Sequence, residues 1–256
     1  MDQVFNAYAR YYDLLYKDKD YTAESKYIHS IIDEFSPQAA AVLELGSGTG
    51  AHAEHLARLG FSVHGIDLSP NMVERANTRK EGLSRDVSDR LSFETGDVRN
   101  YNTEVKYDVV ISLFHVMSYQ TSNEDLRATF ETAAKHLKPG GIFIFDYWFG
   151  PAVLTQKPEV KIRRINDEKI DVLRIAEPVL NPLSNSVEVN FTVMITEKHE
   201  GAKTDVVEES HLMRYFFLPE LELISTRFKV LETRAWMSDD LPTADDWAAI
   251  SILKLN

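Results

Sequence analysis

Hydrophobic positions recur along this chain with two periods, and the period changes where glycine and proline interrupt it. Phe5, Tyr8, Tyr12, Leu15 and Tyr16, then Tyr27, Ile28, Ile31, Ile32 and Phe35, follow at steps of three and four. That spacing lines one face of a helix, so residues 3–35 are predicted helical, with Pro37 ending the pattern. Residues 41–45 form a short apolar run that opens onto glycines and reads as a buried strand. A helix over 51–59 closes at Gly60, and a strand over 62–66 ends at Asp67. Ser69 and Pro70 supply the N-cap and first position of a helix over 70–79. Strands follow over 90–94 and 107–113. The helix over 123–137 starts acidic and ends basic, as the macrodipole favours. Lys138-Pro139-Gly140-Gly141 breaks it before a strand over 142–147. Buried strands alternating with helices predict a parallel sheet wound on both faces.

The pattern changes after Pro151. Residues 161–165, 169–176, 186–196 and 206–217 alternate polar and apolar positions, with Asn181-Pro182 and Glu200-Gly201 as turns. These predict an antiparallel β insertion after the fifth strand, too poor in apolar residues to stand alone. A helix over 218–227 and strands over 228–236 and 248–255 return to the first style. The organisation expected is an N-terminal helical segment, 1–40; an α/β core, 41–157 with 218–256; and the insertion, 158–217.

Composition narrows the function classes. The 256 residues contain no cysteine, which excludes disulfides, thiolate metal sites and cysteine nucleophiles and fits a reducing, cytoplasmic setting. The formal charge is -12, and the small basic patch of Lys161, Arg163 and Arg164 is soon diluted by acids. Nucleic acid and anionic membrane surfaces are therefore not expected partners. Met-Asp-Gln-Val-Phe carries no basic and apolar leader, and no apolar run approaches the roughly 18 residues of a membrane span. Asp239, Asp240, Asp245 and Asp246 read as solvated loop charge, so no metal is expected.

The sharpest chemical feature is Glu44-Leu45-Gly46-Ser47-Gly48-Thr49-Gly50, between a strand and a helix. Glycines there let the backbone turn tightly and approach a ligand. Asp67 ends the next strand, where a carboxylate can accept from ribose hydroxyls. Gly46, Gly48 and Ala51 also satisfy the looser dinucleotide pattern, which leaves a nicotinamide-dependent oxidoreductase open. Three features narrow the choice. Glu44 suits a ligand ammonium better than a pyrophosphate. Asp97, in Gly96-Asp97-Val98, can sit beside an adenine amino group. No second nucleotide-binding half follows the fifth strand. Leu68 and Met72 can sandwich adenine, although Met72 fits plain helix packing equally. Of His52 and His55, one is read as facing the pocket and the other as solvated. His115 follows the fourth strand, at the carboxyl edge where such sheets bind ligands, and is the candidate general base. A histidine that only shapes the wall is the competing reading. Tyr119, Tyr147 and Trp148 lie near strand ends and are candidates for the acceptor pocket, although Trp148 can equally anchor the insertion.

At these residues the chain resembles the class I S-adenosylmethionine-dependent methyltransferases. Glu44, Gly46, Gly48 and Gly50 match the acidic-x-Gly-x-Gly-x-Gly motif, and His136-Leu137-Lys138-Pro139-Gly140-Gly141 resembles the turn before the fifth strand. The resemblance implies a Rossmann-like, seven-stranded sheet whose last strand runs antiparallel, with S-adenosylmethionine as cofactor. It implies cofactor contacts at Glu44, Gly46, Ser47, Gly48, Gly50 and His52. It extends them to Asp67, Leu68, Met72, Asp97, Val98 and Leu113. Tyr8-Ala9-Arg10-Tyr11-Tyr12-Asp13 and Ser112-Leu113-Phe114-His115-Val116-Met117-Ser118-Tyr119 resemble the branch that methylates amino groups of nucleotide-linked deoxysugars. That likeness implies a small-molecule acceptor, a tyrosine lid in which Tyr8 and Tyr16 meet the cofactor or substrate, and an insertion that caps the site and forms a homodimer. Oxygen or carbon methylation of another metabolite, and a non-catalytic binding protein, are the rival readings.

Overall fold

The computed structural model describes residues 14–17, 19–199 and 203–256. They form two compact units: Tyr21–Gln156 with Arg214–Asn256, and Lys157–Met213 with the described residues up to Asp20.

In the larger unit, helix α1 (Tyr21–Phe35) buries Ile28, Ile31 and Ile32, the stripe its spacing predicts. Strand β1 (Ala41–Leu45) leads through the glycine loop into α2 (Ala51–Arg58). Then come β2 (Ser62–Asp67), α3 (Pro70–Glu81), the short α4 (Arg85–Ser88) and β3 (Leu91–Thr95). Ser69 Oγ accepts from Met72 N at 3.4 Å and Pro70 occupies the first turn of α3, as expected from the sequence. Strand β4 (Tyr107–Ser112), a 3-10 turn at Val116–Tyr119, α5 (Asn123–His136), β5 (Leu137–Phe149) and α6 (Gly150–Gln156) complete the run. Strand β5 begins earlier than the glycine break suggests, because Leu137 already pairs with Tyr107 before a register shift carries the strand to Ile142.

The insertion contributes β6 (Lys161–Asn166), β7 (Ile170–Asn181), β8 (Ser186–Glu197) and β9 (Thr204–Phe216). β7 pairs antiparallel with both β6 and β8. Ile170, Val172, Val193 and Ile195 form its small core, against which Leu14 and Leu15 pack. Tyr16 belongs to this unit, and burial pushes its phenol above the ordinary range, opposed by the charges of Arg174 and Arg163.

Returning to the larger unit, α7 (Leu218–Ile224), β10 (Phe228–Ala235) and β11 (Ala248–Leu255) finish the chain. The core strand order is β3-β2-β1-β4-β5-β11-β10. Neighbours from β3 to β5 are parallel. β11 runs antiparallel to both β5 and β10, which is the seven-stranded arrangement with a reversed last strand. Side chains alternate across the sheet. Phe143, Phe145 and Tyr147 meet Leu126 and Phe130 of α5 on one face. Ile142, Ile144, Val109 and Ile111 meet α1 and α2 on the other. Helices on both faces leave the carboxyl ends of β1, β2, β4 and β5 as the open rim.

Candidate functional site

Gly46, Gly48 and Gly50 all hold positive φ, at 78°, 54° and 72°. A Cβ on Gly46 would lie 2.5 Å from Val116 Cγ2, and one on Gly50 2.7 Å from Phe93 Cζ. The loop therefore needs glycine for both conformation and space. Gly46 N and Ser47 N both donate to Ile66 O at 2.8 Å, tying the loop to the end of β2. There Asp67 accepts from Gly48 N at 2.8 Å and from Ser69 N at 2.9 Å, through different carboxylate oxygens. Each oxygen has a second lone pair free to accept a ligand hydroxyl.

Glu44 is 1% exposed, on a strand that must bury its neighbours. Burial pushes its carboxyl up to about 8, the nearby charge of Asp67 adds to this, and the Ala53 N–H opposes it. Its Oε2 has no hydrogen-bond partner among the described residues. A buried carboxylate oxygen left unpaired is costly, so this position favours a cation supplied by a ligand.

His52 is buried. Its Nε2 lies 2.7 Å from Glu24 Oε2 and its Nδ1 3.8 Å from Glu44 Oε1. The Tyr21 ring meets it edge-on, with centroids 4.9 Å apart. Glu24 escaped notice in the sequence, although it lies four positions before Ile28 on the apolar stripe of α1, where a charge is out of place.

Just beyond the carboxyl end of β2, Leu68 is 66% exposed and Met72 partly buried, while Val98, after β3, is buried. Asp97 is engaged by Arg99: Nε donates to Oδ1 at 2.9 Å and Nη2 to Oδ2 at 2.6 Å. Those hydrogen bonds hold the Asp97 carboxyl below its usual range. Arg99 also reaches Asp125 at 3.1 Å, so any adenine contact by Asp97 shares its oxygens with a guanidinium. The Leu113 side chain packs into the core with Ile111.

His115 sits beyond β4 in left-handed backbone, φ 62°, directly after Phe114 at φ 64°. Two consecutive non-glycine residues in that region are strained, and such strain collects at functional sites. Asp146 of β5 faces the turn. It accepts from His115 N at 3.1 Å through both oxygens, and its Oδ2 lies 2.7 Å from His115 Nδ1. Asp146 also went unseen in the sequence, where a lone acid inside an apolar strand was the available signal. Trp148 lies beside His115 (centroids 6.3 Å) and against Trp247 (5.7 Å). Tyr119 is exposed at the surface.

Tyr147 corrects an expectation. It does not line an acceptor pocket: the two-residue period of β5 turns it away from Asp146 and Trp148, into the core, where it is 0% exposed. Its hydroxyl meets Ser251 Oγ at 3.0 Å, and burial pushes the phenol up to about 12. Tyr16 lies in the smaller unit, and Tyr8 and Tyr12 lie outside the described residues.

A methyltransferase-domain profile matches residues 42–141, which span β1 to the start of β5. The chain is 28% identical over 221 residues to dTDP-3-amino-3,4,6-trideoxy-alpha-D-glucopyranose N,N-dimethyltransferase of Streptomyces venezuelae, covering 86% of this chain and 88% of that protein. Among solved structures, an S-adenosylmethionine-dependent methyltransferase of Clostridium acetobutylicum superposes with a TM-score of 0.80 at 23% identity, over 99% of each chain. Streptomyces venezuelae DesVI superposes with a TM-score of 0.75 at 24% identity, over 95% of this chain and 97% of its own. The donor set fits the cofactor these relatives imply, because Glu44 Oε2 lacks a cation and Asp67 retains acceptor capacity. With the glycine loop, the sheet order and these matches together, the chain is an S-adenosylmethionine-dependent methyltransferase that resembles the amino-sugar N-methyltransferases.

Proposed function

We propose that this enzyme methylates the amino group of a nucleotide-linked sugar. The observation that supports it most is that a cation-seeking carboxylate, Glu44, and a carboxylate-backed imidazole, His115, share the carboxyl rim of one sheet. S-adenosylmethionine supplies an electrophilic methyl group on a sulfonium. Glu44 would hold its ammonium, Asp67 its ribose hydroxyls, and the exposed side of Leu68 its adenine. His115 would take the proton that an acceptor ammonium must lose before its nitrogen can attack. General-base assistance of this kind contributes roughly 10²–10⁴-fold, while alignment of the two reactants supplies about 7–11 kcal/mol of barrier reduction. An amine suits this site better than a hydroxyl, because its proton is far more easily removed. The named activity of the Streptomyces venezuelae relative is N,N-dimethylation of such a sugar, which supports the same reading.

The test is a matched pair of nucleotide-linked sugars, one bearing an amine and the other a hydroxyl at the same carbon. Mass spectrometry should detect methylation of the amine alone. Methylation of the hydroxyl sugar in preference would overturn the assignment. We further propose that the insertion strands pair two copies into a homodimer. Light scattering after size exclusion should give twice the chain mass, and a monomer mass would remove that part.

A further inference from the structure

We propose that Asp146 is a positioning residue that locks His115 in the Nδ1–H tautomer, leaving the Nε2 lone pair to accept the substrate proton. This rests on the reading of His115 as the base.

Asp146 is 1% exposed. It sits on the face of β5 that carries Ile142 and Ile144, and it pairs in register with Ile250 of β11. A carboxylate in such surroundings is costly unless its oxygens find donors. The donor found for it is the His115 backbone N–H, shared between both oxygens at 3.1 Å, and the ring edge of the same residue comes within 2.7 Å. The first contact fixes the strained turn. The second decides the ring.

Nδ1 is the buried ring nitrogen, yet the His115 side chain as a whole keeps 25% exposure. Nδ1 lies off the direction of a good hydrogen bond. Such catalytic contacts are often poorly aligned without substrate and tighten when it binds. Were Nδ1 unprotonated, its partial negative charge would lie 2.7 Å from the Asp146 carboxylate with no proton near to offset it. A proton on Nδ1 converts that repulsion into attraction and leaves Nε2 as the acceptor. The arrangement parallels the role of the aspartate in serine-protease triads, where amide replacement costs about 10⁴-fold through the wrong tautomer.

The test uses histidine labelled with ¹⁵N in the full chain, with the His115 signals identified by their loss in His115→Gln. Long-range ¹H–¹⁵N spectra report which ring nitrogen bears the proton. In the parent protein Nδ1 should be protonated, and an Nε2–H ring would overturn the proposal without any Asp146 variant. Asp146→Asn keeps an oxygen for His115 N but presents an N–H₂ to Nδ1. It should move the proton to Nε2 and lower kcat about 10²–10³-fold, with the affinity for S-adenosylhomocysteine within twofold. An unchanged tautomer in that variant overturns the proposal. Unchanged turnover in His115→Ala, with the tautomer still switched by Asp146→Asn, would instead reject His115 as base and leave the pairing standing.

Discussion

Among the residues proposed to hold the cofactor, Glu44 is the one whose ionisation responds most to its surroundings. Its carboxyl is raised from 4.5 to about 8 by burial and by Asp67. Because the folded value lies above the unfolded one, its favourable contribution is complete below about pH 4.5 and is lost as pH rises through about 8. Glu44→Gln should therefore make the ligand-free protein relatively more stable at pH 8–9 than at pH 5, measured by denaturant unfolding at both. The same substitution should weaken cofactor binding, since the ammonium loses its anion. Binding near pH 7 should also release close to one proton as Glu44 ionises, readable by calorimetry in buffers of different ionisation heat, and Glu44→Gln should abolish that release. Asp67→Ala removes the acceptors proposed for the ribose and unties Gly48 N. It should cost about 1.5–3 kcal/mol of cofactor affinity for each charge-assisted hydrogen bond lost, and unchanged affinity by calorimetry would remove Asp67 from the site.

At the scale of elements, the site is a consequence of where strands end. β1 delivers Glu44 and the glycines, β2 delivers Asp67, β4 delivers His115 and β5 delivers Asp146. Gly46→Ala should disturb this junction twice, through its φ of 78° and through Val116, 2.5 Å from the new Cβ. A loss of about 1–3 kcal/mol of stability is expected, together with weaker cofactor binding. Unfolding and calorimetry on that variant check both. Much of this level was legible in the sequence. The alternation from Val42 to Phe145 names the parallel strands, and Ser69-Pro70 marks the start of α3. Less legible were pairings made across the fold. Glu24 meets His52 from 28 positions away, and Asp146 meets His115 from 31. No local period announces such contacts. Tyr147 shows the complementary failure: strand-end proximity was readable, but the face of β5 it occupies depends on the register with β11.

For the whole molecule, the chain forms two compact units, and the larger is the one proposed to bind the cofactor. Among the described residues, no helix is long and apolar enough to cross a membrane. Hydrogen exchange should respond to this division. S-adenosylhomocysteine should slow exchange around residues 44–52 and 67–72 of the larger unit, and protection confined to residues 161–197 would place the ligand elsewhere.

The most direct test of the central claim is stabilisation of the parent protein by S-adenosylmethionine, S-adenosylhomocysteine and NAD at matched concentrations. A ligand bound only by the folded state, at 100 times its dissociation constant, adds about 2.7 kcal/mol. The two adenosyl ligands should raise the melting temperature and NAD should not. A rise with NAD alone would contradict the account and make the glycine loop a pyrophosphate site.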